Sequence, residues 1–494
     1  MKYPERMDAF NDFVLAAGDR LWTFAVLPVL VILGVYFTVR SGVVQFRWLP
    51  EMFRTLADKT PVRSDGTPQS VSAFQAFTIS AASRVGVGNI AGVGTAIAIG
   101  GPGAVFWMWT MAFIGGASSF VESTLGQLFK VRDADGFRGG PAYYMLHGLR
   151  SRWMGTLFAG ILIVCFPFAF SSLQANTISA TLTSTAGISS GGGWVTILIG
   201  AVLALLTGLV VFGGVRRIAT VTQAVVPAMA LSYLLLGLVI VFLNIERLPG
   251  VFAEIYTQAF GFNEVVGAAF GMILMTGIKR GMFSNEAGLG SAPNAGASAA
   301  VTHPVKQGLV QTLGVYFDTF LICSITAFII LVTAPDLSEA TRGIALTQNA
   351  IVGALGPWAS VLLSVIIFLL AFSSILGNYY YGESNIEFIS TRPRVLFGYR
   401  VLAVLAIFVG AVASADLIWN TADAIMGLMA LVNLVAIALL SGLVFRLMRD
   451  YSAQRRAGRD PVFTRDRLPG VTGISCWEDE LSVTGTIPVP AARE

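Results

Sequence analysis

ASRVGVGNIAGVGTAIAIGG, residues Ala82 to Gly101, is an apolar stretch of membrane length broken by an arginine and closely spaced glycines. A helix facing lipid does not tolerate this pattern. Hydrocarbon offers no partner to backbone groups that leave the helical ladder, so irregular backbone at membrane depth survives only where protein packs around it or where it lines a polar cavity. The half-helix ends so created attract ions and zwitterions, and the stretch therefore predicts a binding site near the membrane midplane.

Working outward, 55% of the 494 residues are hydrophobic, 12% are charged, and the mean hydropathy is +0.73. An ordinary globular domain carries about 25% charged residues. The chain is a polytopic membrane protein, and repeated apolar runs of roughly 20 residues indicate one transmembrane domain instead of several soluble ones. The net charge of +4 lies mostly in loops, so it speaks for orientation in a lipid bilayer and not for nucleic acid. Cys165 and Cys323 fall in apolar spans and Cys476 in a polar tail, which indicates no disulfide framework.

Spans are expected near 22–39, 73–100, 102–128, 153–182, 193–213, 218–243, 264–299, 308–333, 357–390, 396–414 and 418–445, about eleven helices in all. Acidic residues precede the first, no small-residue cleavage site follows it, and Arg40 ends it, so it reads as a permanent helix and not a signal peptide. The expected organisation is an N-terminal extracytoplasmic segment (1–21), a transmembrane domain (22–445) and a cytoplasmic tail (446–494). Basic residues gather in alternate loops: Arg40 to Arg63, Lys130 to Arg152, Arg216 with Arg217, Arg392 to Arg400, and the tail from Arg446. The positive-inside rule puts those loops and the C-terminus in the cytoplasm and the N-terminus outside, against the weight of Lys2, Arg6 and Arg20.

Two spans are long and glycine-interrupted, 73–100 and 264–299, the second carrying GIKRGMFSNEAGLGSAPNA. They stand five helices apart and so run in opposite directions, the mark of an inverted repeat whose first helices are broken. In the first break, glycines permit close backbone approach and leave amide N–H groups of the outer half-helix unpaired. Such a helix start attracts a carboxylate. Gly86, Val87 and Gly88 are the candidate carboxylate donors, and Asn89 orders the turn; the competing reading is that the glycines only allow tight helix packing.

The motifs then become specific. GGPGAVFWMW (Gly100 to Trp109), SRVGVGNIAGV (Ser83 to Val93), GGPAYYM (Gly139 to Met145), SSLQANTI (Ser171 to Ile178), GIKRGMFSNEAGLGSAPN (Gly277 to Asn294) and AFSSILGNYYYGE (Ala371 to Glu383) together resemble the alanine/glycine:cation symporter family, bacterial and archaeal carriers of small amino acids. The resemblance spans essentially the whole membrane domain. It implies an all-α, LeuT-like fold with a five-plus-five inverted repeat (73–243 and 264–445) and one extra N-terminal helix (22–39). It also implies symport of alanine and glycine with sodium, in a plasma membrane, without a bound cofactor. Proton coupling and exchange stay open within the same class. The family usually has threonine where this chain has Val87, so any hydroxyl contact is lost there.

Sodium can be held by carbonyl and hydroxyl oxygens alone. Ser373 and Ser374, beside Gly377 and the candidate substrate residue Asn378, occupy a position resembling the sodium-liganding hydroxyl pair of LeuT-like carriers, with the carbonyls of Ala82, Val85 and Leu370 completing the shell. The alternative is that each serine bonds back to its own helix. The resemblance favours Gln174 facing the substrate and Asn176 in a structural role, and it makes Glu122 a brace for a broken helix. Thr276 and Gly277 are candidates for the environment of the substrate amino group and side chain. Asp318 is the sharpest charged residue within a span, open to cation coupling, proton relay or structure, with Lys279, Arg280 and the Asn285 region as partners. Arg84 reads as a gate or as half of a buried ion pair, and Glu286 and Glu383 as gate or capping residues.

A channel would favour rings of one charge sign, and an intramembrane enzyme a reactive dyad; neither pattern is present. There is no HExxH and no CxxC pair, and GVGN lacks a following GK[ST]. The polar tail reads as a disordered end resting near anionic lipid.

Overall fold

Apolar runs become helices here because a chain in hydrocarbon must satisfy its backbone groups within itself. A computed structural model describes residues 14–63, 66–133, 136–188, 193–260, 267–334, 343–412 and 415–485. Among the described residues, nine helices are long and apolar enough to cross a membrane, or ten when one bent pair is taken as a single span. They are α1 (Val14–Arg40), the bent pair α2 (Ala73–Arg84) and α3 (Gly88–Gly100), α4 (Gly103–Leu128), α5 (Arg152–Thr185), α6 (Gly193–Val211) and α7 (Gly214–Leu243). The second half supplies α10 (Pro304–Thr333), α11 (Ala359–Ile389), α12 (Pro393–Val412) and α13 (Ala415–Arg456). The expected seventh span, 264–299, is divided into α8 (Gly267–Asn285) and α9 (Ala292–Ser298). Positions 264–266 of that span lie outside the described residues.

Two boundaries move. Helix α1 is already formed at Val14, so residues 14–21 belong to it and not to a separate N-terminal segment. Helix α13 passes position 445 without a break and ends at Arg456, since charged residues sustain a helix as well as apolar ones once it has left the membrane. Short helices at Leu248–Ala259 and Ile344–Leu355 and a hairpin pairing Val131–Asp133 with Gly136–Arg138 occupy loops that the hydropathy pattern leaves blank.

Helix α4 is the pillar of the bundle, packed on α1, α8, α9 and α10. Small residues allow this. A Cβ on Gly281 would meet the Met108 backbone at 3.1 Å, one on Gly126 would meet Pro293 at 3.0 Å, and one on Gly308 would meet Phe120 O at 2.9 Å. The GGPGAVFWMW motif is explained by the same packing. Gly101 turns with φ 63°, a Cβ on Gly103 would strike the Gln258–Ala259 backbone at 2.6 Å, and Trp107 Nε1 donates to Ala259 O at 2.9 Å.

Up to residue 485 the tail is docked on the bundle and is not a disordered end. Phe463 and Trp477 are fully buried, Phe463 N donates to Thr302 O (2.9 Å), Trp477 Nε1 donates to Gln127 O (3.3 Å), and Lys130 Nζ sits 4.5 Å above the Trp477 ring. A few large aromatic anchors supply the burial that holds an otherwise polar segment in place. Residues 457–485 thus lie against the basic end of the bundle.

Candidate functional site

Helix α2 starts in a capping box, Ser72 with Gln75, and unwinds at Val85, where ψ reaches 88°. The axis bends by 53° before α3 begins with a π-helical turn at Gly88–Gly92. Within the break, Gly86 N donates to Asn89 Oδ1 (2.9 Å) and Val87 N donates to Gln174 Oε1 (3.1 Å). Gln174 therefore reaches the break from α5, where Pro167 and a π-helical stretch (Val164–Phe170) offset the helix. A Cβ on Gly86 would lie 2.8 Å from Gln174 Nε2 and 3.0 Å from Ser374 Oγ, and one on Gly88 would lie 3.3 Å from the Phe283 ring. Side chains of α5, α8 and α11 converge on these glycines.

The second break faces the first. Asn89 Nδ2 donates to Asp318 Oδ1 (2.6 Å) and to Ser284 Oγ (3.0 Å), while Ser284 Oγ donates to Asp318 Oδ2 (2.7 Å) and Thr319 Oγ1 to the same oxygen (3.2 Å). Asp318 thus joins the turn of α2/α3 to the end of α8. Lys279 and Arg280 are not its partners, a correction to the sequence reading. Lys279 pairs with Asp19 and Asp423, and Arg280 with Asp423, so both cations are engaged by other carboxylates.

Residues 286–291 connect α8 to α9 through Glu286 at φ 55° and through Gly288 and Gly290, both at φ 82°. This unwound strand exposes N–H groups deep in the protein, and Glu122 accepts them: Gly288 N to Oε1 at 3.1 Å and Gly290 N to Oε2 at 3.0 Å. Asn433 Nδ2 adds a third bond to Glu122 at 2.8 Å. Glu286 accepts from Ser83 Oγ (2.9 Å) and Ser291 Oγ (2.5 Å), tying the second break back to α2.

Ser374 and Ser373 differ. Ser374 Oγ donates across the interface to Ser83 O (3.0 Å), whereas Ser373 Oγ bonds back to Leu370 O (3.0 Å) and touches Met229 Sδ (3.2 Å). Helix α11 comes this close because Gly377 rests on α2: a Cβ there would meet Ser83 N at 2.7 Å and Ile79 O at 2.9 Å. Ala82, Val85 and Leu370 are also buried. Asn378 lies with its Oδ1 2.7 Å from Ser83 Oγ, and its Nδ2 is buried without a partner among the described residues.

Other candidates fall elsewhere. Gly277 packs in the α4 seam, where a Cβ would lie 2.7 Å from Trp107 Cβ, and Thr276 flanks Gly100, so neither joins the cluster at Gly86. Arg84 is buried but forms no ion pair within 4.0 Å among the described residues; it donates to Gln311 O (3.0 Å) and Ser119 Oγ (3.4 Å) and stands within electrostatic reach of Glu122, Glu286 and Asp318. Glu383 pairs with Arg400 at 3.0 Å. Asn433, Ser284 and Phe170, whose ring lies 5.1 Å from that of Phe283, were not singled out. Asn433 had a signal, an amide in the apolar run MALVNLVAIALL.

Sequence comparison bears on this geometry directly, because the sequence model described as the sodium:alanine symporter family matches residues 7–465. The chain belongs to the sodium:alanine symporter family. Among its relatives in that family, the amino-acid carrier protein AlsT of Bacillus subtilis is 48% identical over 95% of this chain and 98% of AlsT. The probable sodium/glutamine symporter GlnT of the same species is 48% identical over 93% of this chain and 95% of GlnT. The sodium/alanine symporter AgcS of Methanococcus maripaludis is 36% identical over 90% of this chain and 98% of AgcS. In three dimensions the chain is similar to MhsT, crystallised in complex with L-phenylalanine, at a TM-score of 0.55 and 14% identity, covering 84% of this chain and 96% of MhsT. That similarity shows a LeuT-like fold. The symporter family and the fold together make this chain a multi-pass membrane transporter.

Proposed function

We propose that the chain couples sodium entry to uptake of small neutral amino acids, alanine and glycine first, by alternating access around the two facing breaks. The observation that carries the reading is the Gly86–Asn89–Asp318–Ser284 chain of hydrogen bonds, which links both broken helices beside a backbone turn. A substrate carboxylate replaces the Gln174 amide oxygen at the Val87 N–H and takes up the neighbouring backbone of Gly86 and Gly88, at a helix start that favours negative charge. The buried Nδ2 of Asn378 supplies a further donor. Sodium sits between α2 and α11, held by Ser374 and the carbonyls of Ala82, Val85 and Leu370, with Ser373 joining once its hydroxyl leaves Leu370 O, all hard oxygen donors. Glu122, Glu286 and Asp318, all buried and within electrostatic reach of Arg84, favour a cation in this layer. The basic loops and the docked tail lie in the cytoplasm of a bacterial or archaeal cell, and the chain performs transport without catalysis.

Uptake of labelled alanine into proteoliposomes, with and without an inward sodium gradient, tests the reading. The gradient should drive accumulation, and the double variant Ser373→Ala, Ser374→Ala should lose the sodium stimulation while keeping the wild-type elution profile. Alanine amide should compete poorly. Linkage requires alanine to tighten sodium binding by the factor by which sodium tightens alanine binding. Accumulation driven equally by a proton gradient alone would overturn the sodium assignment. Glutamine belongs in the same competition series, because GlnT is as similar to this chain as AlsT is.

A further inference from the structure

The basic end of the bundle holds a concave pocket of about 240 Å³ between the end of α1, the turn that follows it, and α13. Arg40, Arg47, Arg449 and Arg456 rim it, and the buried Phe445 and Ser452 form part of its floor. None of these arginines forms an ion pair among the described residues. The Arg40 guanidinium lies 5.5 Å over the Phe445 ring and that of Arg47 lies 5.8 Å over the Trp48 ring, while Arg449 and Arg456 reach only backbone carbonyls of their own helix, each at 3.3 Å.

The carboxylates that neighbour these arginines in sequence are already engaged. Glu51 binds Arg54, Arg455 and Tyr451, and Asp450 binds Arg467, His303 and Gln454. Folding thus gathers four like charges around one cavity and leaves them without a counter-ion among the described residues, an arrangement that repels itself unless an anion enters. Guanidinium groups match the oxygens of a phosphate bidentately. The surface beside the pocket says where that phosphate comes from: Val43 and Phe46, flanking the arginines, are 41% and 51% exposed, as residues facing acyl chains would be.

We propose that this pocket binds the phosphate of an anionic phospholipid headgroup, held by Arg40, Arg47, Arg449 and Arg456 at the junction of α1 and α13. The site fixes the basic end of the extra N-terminal helix to the last helix through the lipid.

Native mass spectrometry of the full-length protein, released from detergent with phosphatidylglycerol, phosphatidylcholine or inorganic phosphate present, tests the assignment. Phosphatidylglycerol should be retained in preference to phosphatidylcholine, and Arg47→Gln with Arg449→Gln should reduce that retention roughly ten- to thirty-fold, as expected for two basic residues lost from an anionic contact. Ser452→Trp keeps all four charges and fills the floor, so it should reduce retention as well and separates the pocket from mere surface charge. Elution profile and unfolding midpoint check the folding of each variant. Equal retention of the two lipids by the wild type, or undiminished phosphatidylglycerol on both variants, overturns the proposal. Displacement of phosphatidylglycerol by millimolar inorganic phosphate overturns the lipid as the source and leaves a soluble phosphate in the pocket.

Discussion

Glu122 stands in for the missing part of a helix, since its two oxygens accept the N–H groups that unwinding at Gly288 and Gly290 leaves without carbonyl partners. Glu122→Ala orphans both donors in a buried place, so it should destabilise the protein by about 3–5 kcal/mol. Glu122→Gln keeps one acceptor and should lose about half as much. Unfolding midpoints of the purified variants in one detergent measure the difference, and an alanine variant as stable as the wild type would remove Glu122 from the bracing role. Asp318 works differently, by holding Asn89 and Ser284 in register across the two breaks. Asp318→Asn exchanges a charged acceptor for a neutral amide, and the apparent affinity for alanine should fall about ten-fold or more in a protein that still folds. Isothermal titration with alanine at saturating sodium reads this out, and unchanged affinity would mean that Asp318 does not position the first break. Both acids were visible in the sequence as charges at membrane depth. Their partners were not, because Gly288 and Asn89 look like any other glycine or asparagine until packing brings them near a carboxylate.

Between elements, the contact that the hydropathy pattern conceals is the docking of the tail on the start of α10. His303 caps that helix by accepting Val305 N–H at Nδ1 (3.2 Å), and its Nε2 faces Asp450 Oδ2 at 3.3 Å, which fits a neutral ring protonated at Nε2. Burial pushes its pKa down from 6.5 to about 4; Asp450 pulls it upward and Lys306 and Arg467 push it further down. With the folded value below the unfolded one, the unfolded chain takes up the proton first as the pH falls. The stability from this group is complete above pH 6.5, declines from there to about pH 4, and is level below. The loss should amount to about 3 kcal/mol at most, and His303→Gln should flatten it. Unfolding midpoints between pH 7 and 4 test both statements. Trp477→Ala removes the aromatic anchor against Lys130 and Phe463, which should weaken tail docking by about 3–5 kcal/mol and open the chain near residue 457 to limited proteolysis. Protease resistance equal to the wild type would show that the tail is held by other contacts.

At the scale of the whole molecule, the two breaks meet beside the rings of Phe283 and Phe170. Phe283 lies against Gly88 and against Phe170, so methylenes added to alanine have little room beside the first break. Leucine and phenylalanine should therefore compete with labelled alanine at least about ten-fold less well than glycine does, and Phe283→Ala should narrow the difference. Competition by leucine as strong as by glycine would place the binding cavity away from these rings. The membrane class, the alternate basic loops and the positions of both breaks were legible in the sequence by itself, because apolar length, charge and glycine spacing are local properties that act wherever the segment lies. The tertiary structure alone decided which polar groups meet: Asn89 finds Asp318 across 229 residues and Gly288 finds Glu122 across 166. It also turned Lys279 away from Asp318, set Ser374 and not Ser373 against α2, and seated a polar tail on the bundle. The reason is that a hydropathy pattern specifies that a segment is a helix but leaves its rotation and its neighbours to side-chain packing, and only the packed bundle brings distant donors and acceptors within hydrogen-bonding distance.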